Sequence, residues 1–313
     1  MQIFRSFEQV PVDFGPAIVT VGNFDGVHAA HREVLSNVVA HAKELGARAV
    51  AVTFDPHPMR VLRPDVAPRL LTPQPVKLRL LAETGLDAVL LLPFTRDLSL
   101  MPPRDFAAEV LCRKLHTREV HEGFNFHFGH RAQGDVELLR ALGPELGFEV
   151  VIYPEKRMRG DVVSSSRIRE LISTGRVTRA NRLLGRCFSI VSNAGRGRGY
   201  GHRFTVPTIN LSRYDELTPR DGVYVTRARV GEEQFDSVTN IGMRPTFGTE
   251  SFAIETHLLN FHPIDVTSET EIEIGFLYRL RDEQRFPSVD ALRKQIAHDV
   301  KRTRHYFELK GKR

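Results

Sequence analysis

Cysteine is scarce in this chain: two in 313 residues, Cys112 and Cys187, far apart, with no CxxC pair and no Cys/His cluster. That usage excludes a disulfide framework and a cysteine-built zinc site, and it fits a reducing cytosol. No run of about 18 apolar residues occurs, so no membrane-spanning helix is expected. The opening MQIFRSFEQVPVDFGP has no basic stretch followed by an apolar one, so no secretory leader is expected either. Internal repeats and low-complexity tracts are missing too. What is present is ordinary for a folded chain, with 41% hydrophobic and 26% charged residues. A net charge of +6 and a pI near 9.5 suit anionic partners of any kind, from nucleotides to nucleic acid to acidic membrane, and do not choose among them.

The length predicts two domains, and the chain has two textures. From Pro16 to about Ile152, short apolar runs (AIVTVGNF, ARAVAVTF, DAVLLLPF, REVHEGF, FEVVIY) alternate with longer amphipathic stretches (HREVLSNVVAHAKELG, VKLRLLAETG, RDFAAEVLCRKL, GDVELLRALGPELG). Continuous apolar strands between helical segments predict an α/β domain with a parallel sheet, whose ligands bind beyond the carboxyl ends of the strands. After SSSRIRELISTGRVTRANRLLG, strand-like runs separated by turn residues predict an antiparallel barrel or sandwich, closed by a helix over SVDALRKQIAHDVKRTRHYFELK. The boundary is expected between 184 and 185.

Polar residues gather where those strands should end. VGNFDGVHAAH follows the first long strand and puts His28 and His31 three apart near a helix start. A helix N-terminus carries unpaired N–H groups and partial positive charge that favour phosphate, and two imidazoles on one turn add donors. Two other readings stay open for this pair: polar residues on an exposed first turn, or metal ligands, the latter without a nearby carboxylate or third histidine at a recognisable spacing. TFDPHP (53–58) and GFNFHFGHRAQGD (123–135) occupy two further strand ends. In the second, Phe124, Phe126 and Phe128 suit either a wall for a flat ring or plain core. VSSSRIRELI (163–172) puts serines at a helix start and arginines at 167 and 169, which suits an N-cap or the gripping of a triphosphate. GRGRGYG (195–201) taken alone reads first as a flexible basic turn, with an RNA-contacting segment and a phosphate loop as the other readings.

Taken in order, GNFDGVHAAH, TFDPHP, GFNFHFG and SSSRIRE resemble the adenylyltransferase module of bacterial bifunctional riboflavin kinase/FMN adenylyltransferases. PTIN (207–210), DGVY (221–224), NIGMRPTF (240–247) and ETHLLNF (255–261) resemble that family's kinase module. The resemblance covers nearly the whole chain. It implies a Rossmann-type nucleotidyltransferase domain over 1–184 and a six-stranded antiparallel β-barrel kinase domain with a terminal helix over 185–313. Riboflavin would be phosphorylated to FMN, and FMN adenylylated to FAD, with ATP consumed twice and Mg²⁺ as cofactor.

By position, the resemblance assigns His28 and His31 to the HxGH motif that binds ATP phosphates and stabilises the transition state at the α-phosphorus. It assigns Gly22, Asn23, Phe24 and Asp25 to the nucleotide loop. Ser164, Ser165, Ser166 and Arg167 fall in an ISSTxxR-type signature, with Arg167 expected on the departing phosphates. Asn125 and Phe128 are implied flavin contacts. Glu255 matches the kinase's catalytic glutamate, Thr208 and Asn210 its Mg²⁺ and ATP ligands, and Gly197, Gly199 and Gly201 its phosphate loop. Ala30 stands where glycine is usual, so its methyl group is expected to weaken the first site. The expected partners are riboflavin, FMN and ATP, with no nucleic acid and no membrane, and the expected assembly is a monomer or weak homo-oligomer in the cytoplasm.

Overall fold

A computed structural model of the chain describes residues 1–193, 208–211, 214–246, 249–264, 267 and 269–311. These residues pack as two compact units, Met1–Ser165 and Ser166–Arg313.

The first unit is built on a parallel sheet of β1 (Gln2–Phe4), β2 (Ala17–Val21), β3 (Arg48–Asp55), β4 (Ala88–Pro93), β5 (Thr117–Gly123) and β6 (Glu149–Tyr153). Its helices are α1 (Ala29–Glu44), α2 (Pro58–Leu62), α3 (Gln74–Ala82), α4 (Arg96–Ser99), α5 (Pro103–Phe106) and α6 (Val136–Leu146). A π-helix, Ala107–Lys114, continues α5 directly, where the sequence pattern predicts a single α-helix. Alternate strand residues bury opposite faces, as a covered parallel sheet requires. Ile18, Ala49, Ala51, Val89 and Leu91 share a core with Leu35 and Val38 of α1 and Leu80 and Leu81 of α3. Val19, Val21, Val50, Val52, Leu90 and Leu92 share another with Val110, Leu111, Leu139 and Leu142.

The strand order β1-β4-β3-β2-β5-β6 positions the site. From β2 the chain winds outward through β3 and β4, then crosses to the other side for β5 and β6. The reversal lies between β2 and β5, so the loops leaving β2, β3 and β5 border the crevice where ligands of such sheets bind. A short hairpin of β7 (Arg157–Met158) and β8 (Asp161–Val162) leads to α7 (Ser165–Ser173), which begins on the last residue of this unit.

The second unit contains most of α7, then α8 (Val177–Leu184), β9 (Phe188–Asn193), β10 (Thr208–Asn210), β11 (Gly222–Val230), β12 (Glu233–Thr246), β13 (Thr249–Leu258), β14 (Glu271–Arg281) and α9 (Val289–Gly311). The six strands form one antiparallel sheet of half-barrel form in the order β10-β13-β12-β11-β14-β9. Asn181 on α8 ties that helix to the sheet, donating to the Phe276 carbonyl and accepting from the Phe188 amide, both at 2.7 Å. The expected serine cap of the terminal helix is present, with the Ala291 amide 3.2 Å from Ser288 Oγ. One buried face carries a run of hydroxyls: Thr226 contacts Ser237 at 2.8 Å and Thr239 at 2.7 Å, and Thr239 contacts Thr256 at 2.9 Å. All four residues are fully buried.

Candidate active sites

The loop after β2 is contorted. Phe24, Gly26 and Val27 have φ of +48°, +87° and +38°, a region costly for side chains other than glycine. Burial of Phe24 and Val27 and a carboxylate clamp hold this shape. Asp25 Oδ2 accepts from the Leu71 amide at 3.0 Å, and Oδ1 accepts from the Thr72 amide at 3.0 Å and the Thr72 hydroxyl at 3.2 Å. Thr72 Oγ1 in turn accepts from the Gly26 amide at 3.0 Å. Asp25 is thereby turned toward residues 71–72, and its part in this loop is to fix the loop's path.

So held, the loop delivers His28 as the N-cap of α1, its Nδ1 facing the His31 amide at 3.4 Å. The two imidazoles stack, with centroids 3.6 Å apart. His31 Nδ1 is buried without a hydrogen-bond partner among the described residues. Desolvation, reinforced by the charges of His28 and Lys77, drives the His31 pKa well below the ordinary histidine value. A neutral ring with an unsatisfied nitrogen, at the positive end of a sixteen-residue helix, suits an incoming anion.

Lys77, on α3, is 6% exposed and crosses the strand ends. Its Nζ donates to the Asn23 carbonyl at 3.2 Å, Thr53 Oγ1 at 3.1 Å and the Phe54 carbonyl at 3.3 Å. Burial lowers its pKa to about 8, against the opposing pull of Asp25 and Asp55. Glu122, beside the sheet reversal, accepts from the Val21 amide at 2.5 Å and is 3% exposed. Desolvation raises its carboxyl pKa well above the usual range, against the opposing pull of the Val21 amide.

The serine turn meets the histidine loop: Ser165 Oγ donates to the Asp25 carbonyl at 2.9 Å. Arg167 pairs with Glu170 at 2.7 Å. Counted from Ser164, the ISSTxxR spacing puts the signature arginine at Arg169, two residues beyond Arg167. At the end of β3, His57 caps α2, its Nδ1 accepting from the Met59 amide at 3.2 Å. After β5, Asn125 and Phe124 are exposed, whereas Phe128 is buried at 7%, stacked behind Phe126 with centroids 5.3 Å apart. Phe128 is thus placed in the core and supports a wall from behind.

In the second unit, strand register does the assembling. Asn210 on β10 lies opposite Glu255 on β13, Glu255 lies opposite Asn240 on β12, and Thr208 lies opposite His257. Residues two apart on a strand share a face, so Thr208, Asn210, Glu255, His257 and Asn240 lie on one face, with Ile209, Thr256 and Thr239 on the other. Thr208 Oγ1 is 3.4 Å from His257 Nδ1. Desolvation, and then the charge of Arg304, holds the His257 pKa below its ordinary value. Gly197, Gly199 and Gly201 lie outside the described residues.

Lys77, Thr72, Glu122 and His257 are additions that motif reading misses. Lys77 sits in the amphipathic run VKLRLLAETG, and His257 lies inside ETHLLNF, two residues from Glu255. Only the strand pairing shows that His257 faces Thr208.

Comparison with known proteins agrees on both halves. A family model described as FAD synthetase matches residues 11–167, and one described as riboflavin kinase matches 184–307. The bifunctional riboflavin kinase/FMN adenylyltransferase of Escherichia coli K12 is 32% identical over 93% of each chain. That of Pseudomonas fluorescens is 32% identical over 96% of each. A solved structure described as a macrolide-efflux protein from Streptococcus pneumoniae superposes with a TM-score of 0.83 at 25% identity, covering 96% of this chain and 98% of that one. Among the described residues, no helix is long and apolar enough to cross a membrane. With both modules matched in order along one chain, this protein belongs to the bifunctional riboflavin kinase/FMN adenylyltransferase family.

Proposed function

We propose that the chain converts riboflavin to FAD in two ATP-dependent steps, kinase chemistry in residues 185–313 and adenylyl transfer in residues 1–184. The family-model limits support this division, and α7 and α8 pack with the second unit although they precede its family match. The observation that carries the adenylyltransferase reading is the Ser165–Asp25 hydrogen bond, which closes the start of α7 onto the loop that presents His28 and His31.

In adenylyl transfer the FMN phosphate attacks the α-phosphorus of ATP, and the bond to the β-phosphate breaks to release pyrophosphate. The nucleophile is already anionic, so charge neutralisation and in-line placement are required in place of a strong base. His28, His31 and the N-terminus of α1 supply donors for the phosphates, with Arg167 or Arg169 on the pyrophosphate side. Gly22, Asn23 and Phe24 form the nucleotide loop, and Asn125 is the flavin contact, with Phe128 buttressing the neighbouring Phe126.

In the kinase step the neutral 5′-hydroxyl of riboflavin attacks the γ-phosphorus of ATP, and Glu255 accepts its proton as ADP leaves. The Thr208 hydroxyl and the Asn210 amide oxygen share one face with Glu255 and are hard oxygen donors of the kind Mg²⁺ takes, so these residues would hold that ion. Bound there, Mg²⁺ supplies neutralisation of phosphate charge. The glycines at 197, 199 and 201 are assigned to the phosphates of the same ATP. The chain acts on small molecules in the cytoplasm, as a monomer or weak homo-oligomer.

The deciding experiment follows riboflavin, FMN and FAD by chromatography with purified chain and MgATP. Riboflavin should pass through FMN to FAD, and His31→Ala should stop the sequence at FMN. No FMN from riboflavin, or no FAD from supplied FMN, would refute the corresponding half.

A further inference from the structure

On α1 and β5, away from the histidine pair His28 and His31, three metal-type ligands converge. His41 lies ten residues beyond His31 on α1, about 15 Å along the axis at 1.5 Å per residue. Glu119 and His121 are two apart on β5 and so share a face. Glu119 Oε2 lies 2.9 Å from His41 Nδ1 and 2.8 Å from His121 Nε2. One ligand atom from each of the three residues lies within 4.8 Å of the others.

We propose that His41, Glu119 and His121 bind one first-row divalent transition-metal ion, with zinc as the expected occupant. Two imidazoles and a carboxylate form a recognised zinc donor set, whereas Mg²⁺ prefers oxygen alone. Tetrahedral bonds of about 2.0–2.1 Å place donors about 3.3 Å apart, a spacing reached from the present one by small side-chain shifts. Among the described residues no lysine or arginine pairs with Glu119, so with neutral rings the cluster carries one uncompensated negative charge.

The surroundings fit as well. His121 is fully buried, and its Nδ1 lies 2.8 Å from the Tyr153 hydroxyl, the outer hydrogen bond that orients a metal-binding imidazole. His41 has a side chain 40% exposed, which leaves one side open for an ion to enter and for a water to complete the coordination. Binding balances without net loss of a proton. The ring protons now directed at Glu119 move to the opposite nitrogens, facing Tyr153 from His121 and solvent from His41, and no electron is transferred.

The test uses the full chain, stripped with EDTA, dialysed into buffer free of phosphate and nucleotide, and titrated calorimetrically with zinc chloride. One saturable equivalent is expected. His41→Ala, or the isosteric Glu119→Gln, should weaken binding at least tenfold, and Tyr153→Phe by about tenfold, the lower end for an outer-shell partner. A chain carrying both His28→Ala and His31→Ala should retain the site, with folding of every variant checked by circular dichroism. Cobalt(II) added to the unmutated chain should give the intense visible bands of a four-coordinate ion with nitrogen ligands, a readout independent of whether any variant folds. Cobalt showing only its aqueous spectrum, undiminished zinc affinity in folded His41→Ala, or loss of binding on removal of His28 and His31 would overturn the assignment.

Discussion

The two regions proposed to handle phosphate are constructed by different means. In the first unit the site is made of loops beyond strand ends, with backbone forced into the left-handed region and held there by Asp25, Thr72 and Lys77. In the second it is made of side chains standing on regular strands, where register alone sets Asn210, Glu255 and Asn240 in a row. The chemistry accounts for the contrast. Transfer to an anionic phosphate needs donors and positive potential, which helix ends and buried cations on loops provide, whereas deprotonating a neutral hydroxyl needs one carboxylate in a fixed place, which a strand provides.

That contrast can be broken most severely at Glu255. Glu255→Gln keeps shape and removes the proton acceptor, so FMN formation should fall about 10²- to 10⁴-fold. FAD formation from supplied FMN should be unchanged, and a parallel fall in both would mean that the sites are not separable. His31→Ala is the mirror test, with a loss of about 10²- to 10³-fold in FAD formation, as for the loss of one transition-state donor, and intact FMN formation.

Lys77→Met probes the scaffold more gently. A drop of at least about tenfold in FAD formation is expected, since three hydrogen bonds from the ammonium are lost and even one charge-assisted bond is of that order. Because Lys77 loses its charge above about pH 8, the unmutated chain should show an alkaline limb in FAD formation there, and Lys77→Met should lack it. A limb that survives the substitution belongs to another group.

Glu122→Gln reads stability. The buried carboxyl keeps its proton where the unfolded chain has lost it, so its folded pKa is raised, and stability falls as pH climbs through that value. Glutamine removes the penalty, so the melting temperature of the variant relative to the unmutated chain should rise from pH 5 to pH 8. A constant difference would place a charged glutamate in the folded protein.

The smallest effect is expected at Ala30, the second residue of α1. Ala30→Gly should tighten ATP at the adenylyltransferase site while costing about 0.5–1 kcal/mol of helix stability. Kinetics of FAD formation against ATP concentration would show it, and an unchanged or higher KM would remove the crowding argument.

Much of the architecture was legible in the chain because strand alternation and turn residues are local signals. The runs AIVTV, RAVAVTF and AVLLL are strands of a sheet buried on both faces, and SVDALRK opens a helix at its serine cap. The π-helix at Ala107–Lys114 was not legible, since its apolar spacing over eight residues matches an α-helix within a fraction of a turn. Nor was the direction of Asp25, a carboxylate that could face ligand or protein until residues 71 and 72 are brought beside it. His41 and Glu119 stand 78 positions apart, and only packing of α1 on β5 joins them.

The buried hydroxyls of Thr226, Ser237, Thr239 and Thr256 have a consequence for how this sheet tolerates change. Each hydroxyl has one proton to give, so Ser237–Thr226–Thr239–Thr256 is a directional chain in which every link depends on how its neighbour is turned. Valine at Thr226 alone strands Ser237, and valine at Thr239 alone strands Thr256, in a dry interior, at about 1–3 kcal/mol for the buried group left unpaired, while the other neighbour keeps one bond. Valine at all four positions strands none of them, so the fourth replacement should recover part of what the first one lost.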